Sequence, residues 1–252
     1  MALNSEKTVW IVGATGGIGR CLVQRLVDQS WKIIPSARNK DRLQELVDEF
    51  DLEDPVPLDA TDPEQVEKAA ADVFEKYEKL DGLVHLGGSF MLKGAHQLSL
   101  EEWRDTIDKN LNSAFYLLRS TIASIQKQGS GSIVLTSTVA AQTGLPSHEA
   151  IAAAKAGIDG LVRSAAATYA SRNIRVNSVA PGMTETPMSE PILSNDTSRK
   201  ITERMHPLGR VGNPEEVSSA YAWLLGDDSS WVTGQTISMD GGLSKAHPRP
   251  KV

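Results

Sequence analysis

A glycine-rich turn between a short apolar run and an amphipathic segment constrains the fold of this chain more than any other feature. The run Thr8-Val9-Trp10-Ile11-Val12 lacks polar alternation, which is typical of a strand buried on both faces of a parallel sheet. Glycines at 13, 16, 17 and 19 follow at once. Apolar residues then recur at helical spacing, at Ile18, Leu22, Val23, Leu26 and Val27. The sequence therefore begins with a predicted strand–turn–helix unit.

The same alternation continues along the chain and predicts an α/β fold. We predict a single-domain Rossmann fold over residues 1–252, a doubly wound parallel sheet of about seven strands with helices on both faces. The predicted strands are residues 8–12, 32–34, 55–58, 83–86, 132–137, 174–179 and 236–239. Longer helical patterns cover residues 63–79, 100–128 (as one helix or two abutting ones), 147–172 and 214–225.

Two segments depart from this pattern. Residues 183–206 are the least patterned stretch, and a long irregular segment in a compact domain is often a lid or binding loop. We therefore expect them to form the substrate lid. Residues 245–252, rich in Pro, Lys and Arg, are expected to form a terminal tail.

Charge and composition argue against several functional classes. The net charge of -6 disfavours a broad nucleic-acid surface. No apolar run approaches the roughly 18 residues that a membrane span requires, so we expect no membrane partner. Cys21 is the single cysteine, which excludes an internal disulfide and fits the cytoplasm. Spacing predicts no metal site.

The glycine-rich turn has a definite chemistry if it opens a helix. Glycines allow a tight turn and a close approach to a pyrophosphate, while the first amides of the helix attract an anion. A plain tight turn is the alternative. The preceding strand and the second strand–helix unit favour dinucleotide binding.

The spacing of Gly13, Gly17 and Gly19 resembles the cofactor loop of the short-chain dehydrogenase/reductase family. Further resemblances follow in the family's order: Asp59 after the third strand, Asn110 in Asp-Lys-Asn-Leu, and Pro181-Gly182 followed by two threonines. Residues 212–217 and 233–242 match the family's C-terminal pattern. The resemblance covers nearly the whole chain and implies binding of a nicotinamide cofactor.

The resemblance assigns a set of cofactor-binding residues along the edge of the sheet. These are Gly13, Thr15, Gly16, Gly17, Ile18, Gly19, Arg38, Asp59, Ala60, Gly87, Gly88, Asn110, Lys155, Pro181, Gly182, Thr184 and Thr186.

The end of the second predicted strand favours NADP over NAD. NAD-binding proteins tend to carry an acid there, and Ala37 holds that position. Arg38 follows and can pair with a 2′-phosphate, and Ser36 offers a hydroxyl. The alternative is that Arg38 is a solvated loop residue and that Asp41 serves a ribose.

The catalytic residues that the family implies are present except for one. Lys155 matches the family's lysine, Asn110 its asparagine, and Thr138 stands at the position of its serine. The tyrosine that the family uses as proton donor lies four residues before the lysine, and Ile151 holds that position. Isoleucine has no group that can carry a proton. The next tyrosine, Tyr169, lies about four helical turns beyond Lys155.

Three side chains are candidates for the missing proton donor. His148 lies three residues before Ile151, and histidine is a common general acid or base in enzymes. It competes with a simple role at the start of a helix, where Ser147 is the predicted N-cap. His85 stands where the family often has asparagine, and Lys155 can donate a proton if it is desolvated.

Three functions follow from this pattern. The first is an NAD(P)-dependent oxidoreductase that acts on a small carbonyl or alcohol, or on an activated double bond. The second is a cofactor-binding sensor or partner subunit without catalysis, and the third is an isomerase or lyase on the same scaffold. The resemblance also implies a homodimer or homotetramer.

Overall fold

The computed structural model describes residues 7–247 and contains one seven-stranded sheet with helices on both faces. The strands are β1 (Thr8–Val12), β2 (Lys32–Ala37), β3 (Val56–Pro57), β4 (Gly82–His85), β5 (Gly131–Thr136), β6 (Ile174–Pro181) and β7 (Thr236–Met239). The helices are α1 (Gly17–Asp28), α2 (Lys40–Phe50), α3 (Pro63–Lys76), α4 (Leu100–Ile107), α5 (Ser113–Gln128), α6 (Glu149–Tyr169), α7 (Glu190–Leu193), α8 (Asp196–Met205) and α9 (Pro214–Leu225).

All strand pairs are parallel, and their order is β3-β2-β1-β4-β5-β6-β7. Strands β2 and β3 are added on one side of β1, and the chain then crosses over so that β4 pairs with the other side of β1. This change of direction leaves a crevice at the carboxyl ends of β1 and β4, the place where open α/β sheets bind ligands. The predicted fold class is confirmed, and many of the predicted site residues follow these strand ends, whereas Asn110 and Lys155 lie in helical segments.

The sheet is covered on each face by an apolar layer. One layer contains Trp10, Leu83 and Ile133 with buried residues of α3, α5 and α6. The other contains Ile11 and Val84 with buried residues of α1 and α9. Alternate residues of one strand thus enter opposite layers, which explains the continuous apolar runs of the sequence.

The segment around Asn110 is helical throughout but changes its winding. Residues 108–112 form a π-helical turn between α4 and α5, so the predicted pattern at 100–128 is realised as two helices joined by this turn. π-turns inside helices are often found at functional sites.

An N-cap side chain begins α3, whereas the predicted N-cap of α6 is not formed. The side chain of Asp62 caps α3 at the amides of Glu64 and Gln65, as its position before Pro63 predicts. The predicted cap at Ser147 is wrong. Ser147 is left-handed, with φ of 61°, and α6 begins after His148.

Residues 183–206 are more regular than the sequence indicates, because they contain α7 and α8. The side chain of Asn195 accepts a hydrogen bond from Ser198 N and begins α8. The predicted tail is described only to His247, so residues 248–252 lie outside the described part. From residue 7 to residue 247, no helix has both the length and the apolar character needed to cross a bilayer.

Candidate active site

The glycine turn after β1 is fixed by backbone contacts. The amides of Gly13 and Ala14 both donate to Ser36 O on β2, at 2.8 and 3.1 Å. Gly13 has a φ of 92°, a backbone conformation that residues with a Cβ rarely adopt. A Cβ on Gly19 would lie 2.4 Å from Gly13 O. The turn therefore requires glycine at its first and last positions.

The start of α1 presents free amides to the crevice. Gly16 is the N-cap and supplies no side-chain hydrogen bond. Within residues 7–247, the amides of Gly17, Ile18 and Gly19 have no acceptor outside the helix. Free first-turn amides and the helix dipole suit a phosphate group. The residues present therefore fit the pyrophosphate of a dinucleotide, with Thr15 half-buried beside them.

The end of β2 leaves Arg38 as the candidate for a 2′-phosphate. Ser36 is fully buried, and its hydroxyl accepts a 2.7 Å hydrogen bond from Trp10 Nε1. The expectation that Ser36 faces the phosphate is therefore wrong, because its side chain enters the core. Arg38 is exposed and forms no hydrogen bond or ion pair with any residue of the described range 7–247.

Asp59 and Ala60 follow β3 at the same edge of the sheet. Asp59 Oδ1 accepts hydrogen bonds from Thr61 N at 3.0 Å and Thr61 Oγ1 at 2.7 Å. These contacts hold the half-buried carboxylate in one orientation. An adenine contact of Asp59 stays a prediction.

The end of β4 brings Gly87 and Gly88 close to the side chains of His85, Asn110 and Lys155. A Cβ on Gly88 would lie 2.7 Å from Asn110 Oδ1 and 3.5 Å from Lys155 Nζ. A Cβ on Gly87 would lie 3.1 Å from His85 Nε2. The two glycines thus leave space that a side chain would fill.

Asn110 is held in the π-turn by three hydrogen bonds. Its Nδ2 donates to Thr106 O and to Ser89 Oγ, both at 3.0 Å, and its Oδ1 accepts from Ser89 N at 3.1 Å. The side chain is completely buried. The turn packs closely on α6, because a Cβ on Gly157 would lie 2.8 Å from Leu111 Cδ2.

Lys155 projects from α6 into the same region. Its Nζ donates to Thr136 O at 2.8 Å, and the side chain is 4% exposed. Burial lowers the pKa of Lys155 from 10.5 to about 8, although the nearby carboxylate of Asp159 opposes that decrease. Lys155 is therefore protonated at neutral pH but loses its proton more readily than a surface lysine.

His85, the last residue of β4, is also buried and lies against Gly87. Neither ring nitrogen has a hydrogen-bond partner among residues 7–247. Burial, and then the charge of Lys155, lowers the pKa of His85 to about 3. The ring is therefore uncharged near neutral pH, which argues against His85 as the proton donor.

The position at which the family has its tyrosine is apolar and buried in this chain. Ile151 lies one turn before Lys155 on α6 and is 4% exposed. Thr138 is half-buried, and its Oγ1 accepts a weak 3.4 Å hydrogen bond from Ala140 N. That contact leaves the hydroxyl hydrogen of Thr138 free to be donated.

His148 stands at the start of α6 in a defined orientation. Its Nδ1 lies 2.7 Å from Pro146 O, and a carbonyl oxygen can only accept, so Nδ1 carries a hydrogen. The ring meets Phe90 edge-on, with 6.2 Å between centroids. Nε2 is then the nitrogen that can take up and release a proton.

The loop after β6 returns to the glycine turn. A Cβ on Gly17 would lie 2.8 Å from Thr186 Cγ2, so Thr186 lies against the start of α1. Thr184 is buried, and its hydroxyl donates to Gly182 O at 3.1 Å. Of the two predicted threonines, the structure places Thr186 beside the cofactor loop, with Pro181 and Gly182 at the end of β6.

Three contacts at the site do not follow from the sequence. Ser89 holds Asn110, the carbonyl of Thr136 accepts from Lys155, and Phe90 packs against His148. Ser89 and Phe90 directly follow Gly88, so their place beside the site was the one available signal. The Thr136 contact uses a main-chain atom and has no sequence signature.

Comparisons with known proteins agree with this geometry. A family model described as "Enoyl-(Acyl carrier protein) reductase" matches residues 13–244. The 3-oxoacyl-[acyl-carrier-protein] reductase of Thermotoga maritima is 36% identical over 241 residues, covering 94% of this chain and 97% of the relative.

Two solved structures are similar over nearly the whole chain. A short-chain type dehydrogenase/reductase from Mycobacterium ulcerans has a TM-score of 0.91 and 30% identity, covering 95% of this chain and 90% of its own. An actinorhodin polyketide ketoreductase variant with NADPH has a TM-score of 0.90 and 26% identity, covering 98% and 100%.

Proposed function

The chain belongs to the short-chain dehydrogenase/reductase family, and we propose that it is an NADP(H)-dependent reductase that does not use the family's tyrosine as its proton donor. Its relatives are oxidoreductases, and the chain is an NAD(P)-dependent oxidoreductase. The observation that carries the proposal is the meeting of Asn110 and Lys155 at Gly88, with Ile151 one helical turn away.

The preference for NADP(H) rests on the end of β2. Arg38 is exposed directly after this strand, and an arginine fork suits a 2′-phosphate. Ala37, at the position where NAD-binding proteins carry an acid, offers nothing to a ribose hydroxyl. The similar ketoreductase was solved with NADPH, which supports the same choice.

The proposed substrate is a small carbonyl compound or alcohol, or a compound with an activated double bond. The similar Thermotoga protein is named for reduction of a 3-oxoacyl group, and the matching family model for reduction of an enoyl group. The segment 183–206, which follows Gly182 and contains α7 and α8, is the proposed lid.

A nicotinamide cofactor, when bound, supplies or accepts the hydride. The chain's own side chains position the other reacting groups. The Thr138 hydroxyl donates to the substrate oxygen. The Lys155 ammonium would bind the nicotinamide ribose and would add positive charge near that oxygen. Asn110 keeps the loop after Gly88 in place through Ser89.

His148 is the proposed proton donor. Its Nδ1 is committed to Pro146 O, so Nε2 is the site that exchanges a proton. Phe90 limits rotation of the ring by packing against it. His148 is the N-cap of α6 and stands three residues before Ile151 in the chain, so it lies at the start of the helix that carries Ile151 and Lys155.

The test measures NADPH oxidation by the purified protein against a panel of ketones, imines and enones. We expect turnover with at least one class and a rate at least about tenfold lower in His148→Gln, because a positioned acid contributes that much or more. Tight NADPH binding with no turnover on any class would contradict the reductase and favour the binding protein described next. An unchanged pH–rate profile in His148→Gln would remove His148 from the reaction.

Ile151 favours a second candidate function, a non-catalytic NADP(H)-binding sensor or partner subunit. The cofactor turn is complete, whereas the position of the proton donor is apolar and buried. This function predicts tight NADPH binding and no turnover. Turnover without a change in nicotinamide absorbance would instead indicate the isomerase or lyase.

We further propose a cytoplasmic homodimer or homotetramer with a small-molecule substrate as its other partner. Apolar side chains of α5 and α6 line an outer cavity of about 250 Å³, and Phe115 at its rim is 46% exposed. A second copy of the chain would cover this surface. Light scattering in solution measures the state directly.

A further inference from the structure

A buried carboxylate lies one helical turn beyond Lys155. Asp159 is on the same face of α6, four residues further along, and is 7% exposed. Thr236 Oγ1 on β7 donates to Asp159 Oδ1 at 3.1 Å, and the same hydroxyl lies 2.8 Å from Ser178 Oγ on β6. Asp159 therefore joins the helix of Lys155 to the last two strands.

A buried carboxylate is costly unless a positive charge or several hydrogen bonds compensate it. The described contact from a neutral threonine hydroxyl does not supply a charge. Two cations stand four residues from Asp159 on α6, and of these Lys155 is buried whereas Arg163 is exposed, so Lys155 is the buried cation on this face. Asp159 raises the pKa of Lys155 against the larger lowering that burial causes.

Among residues 7–247, Asp159 is the one negative charge found to raise the pKa of Lys155. Asp159 lies on the same helix as Lys155, and the charge of Lys155 in turn lowers the pKa of His85 on β4. His85 is neutral near pH 7, because burial keeps its pKa far below that value. The hydroxyls and carbonyls nearby, such as Thr136 O, do not titrate.

We propose that Asp159 is a positioning residue that keeps the buried Lys155 ammonium protonated at the catalytic edge. The task of Lys155 rests on the proposed function, whereas its charge state is a property of the protein without cofactor. A neutral Lys155 would have lost a proton, and with it a hydrogen-bond donor and the positive charge near the substrate oxygen. Asp159 thus acts through Lys155 and does not touch the substrate.

The competing role is purely structural: Asp159 would only join α6 to β7 through its hydrogen bond with Thr236. Two variants separate the roles. Asp159→Asn removes the charge and keeps an oxygen that accepts from Thr236. Thr236→Val removes the hydrogen bond and keeps the charge.

The measurement is a pH titration of the side-chain carbon signals of labelled lysine by NMR, in the protein without cofactor. Lys155→Met identifies the Lys155 signal by its loss. We expect a midpoint near pH 8 in the unmodified protein and a midpoint lower by about one pH unit in Asp159→Asn, since an opposite charge is lost. Thr236→Val is expected to keep the original midpoint.

An unchanged midpoint in Asp159→Asn would overturn the proposal, as would an equal decrease in Thr236→Val. If Asp159→Asn does not fold, thermal unfolding of Lys155→Met and of the double variant gives the answer. Lys155→Met leaves the carboxylate uncompensated, so adding Asp159→Asn should raise the melting temperature again. No recovery would overturn the proposal. Because these readouts need neither cofactor nor turnover, they remain valid if the reductase function fails.

Discussion

The glycine turn after β1 and the first turns of α6 lie at the same edge of the sheet but are fixed by different parts of the chain. The turn is held by main-chain amides on Ser36 O, and backbone atoms occupy the space where a Cβ of Gly19 would lie. At α6, individual side chains carry the proposed chemistry: Lys155 donates to a carbonyl, His148 Nδ1 contacts Pro146 O, and Ile151 is buried.

This difference explains why cofactor binding and chemistry can diverge in one fold. A site formed by main-chain atoms tolerates few substitutions, because the same atoms also hold the strand–turn–helix unit together. A side-chain site can exchange tyrosine for isoleucine and leave helix α6 intact, since both residues occupy a buried helical position. The glycine turn is therefore a feature shared with the family, whereas the proposed reaction depends on side chains such as His148 and Ile151.

The largest effect that would sharpen this comparison is expected from Gly19→Ala. The new Cβ would meet Gly13 O at 2.4 Å and Ala14 O at 2.7 Å, and both are backbone atoms. We expect the free energy of unfolding to fall by about 2 kcal/mol because of overpacking. NADPH binding should weaken at least about a hundredfold, equivalent to about 2.7 kcal/mol. Thermal unfolding and fluorescence titration measure the two quantities.

Gly160→Ala is the matched control for this substitution. Gly160 lies within α6, and the nearest atom to its Cβ would be Arg163 Nη2 at 4.0 Å. Alanine is favoured over glycine in a helix by roughly 0.5–1 kcal/mol, so this variant should be equally or more stable. If Gly19→Ala bound NADPH as well as Gly160→Ala, the turn would not be fixed by its backbone.

The fold was predictable because its signals are local and repeated. Apolar runs without alternation identify strands buried on both faces, and Asp62 before Pro63 identifies a helix start. The predicted cap at Ser147 is wrong because this residue is in the left-handed region and the N-cap position of α6 falls on His148. The regularity of residues 183–206 was missed because short polar helices such as α8 carry no buried stripe.

At the site, the sequence identified the residues but not their partners. Lys155 and Asn110 could be placed by spacing, and the structure brings both to Gly88. The burial of the Ser36 hydroxyl could not be predicted, because it depends on which face of the sheet the end of β2 presents to Trp10. The same holds for Asp159, whose partner Thr236 is far away in sequence.

Ile151→Tyr tests the side-chain half of the comparison and is expected to have an intermediate effect. A phenol at this position would stand one turn before Lys155, whose positive charge favours loss of the phenolic proton. Ketone reduction with NADPH should rise about tenfold or more, within the range of general acid catalysis. Ile151→Phe adds nearly the same ring without the hydroxyl, so equal rates in the two variants would show that shape, not proton transfer, caused the change.

Arg38→Ala is expected to have the smallest effect, because Arg38 is exposed and follows β2, which β1 separates from β4 and Gly88. If its guanidinium pairs with the 2′-phosphate, NADPH binding should weaken about tenfold, or 1.4 kcal/mol, while NADH binding stays the same. The loss should shrink at high salt, since an exposed pair is screened. Asp41→Asn is the control: weaker NADH binding in that variant, with Arg38→Ala silent toward both cofactors, would assign the end of β2 to a ribose hydroxyl and make the protein an NAD-dependent member of its family.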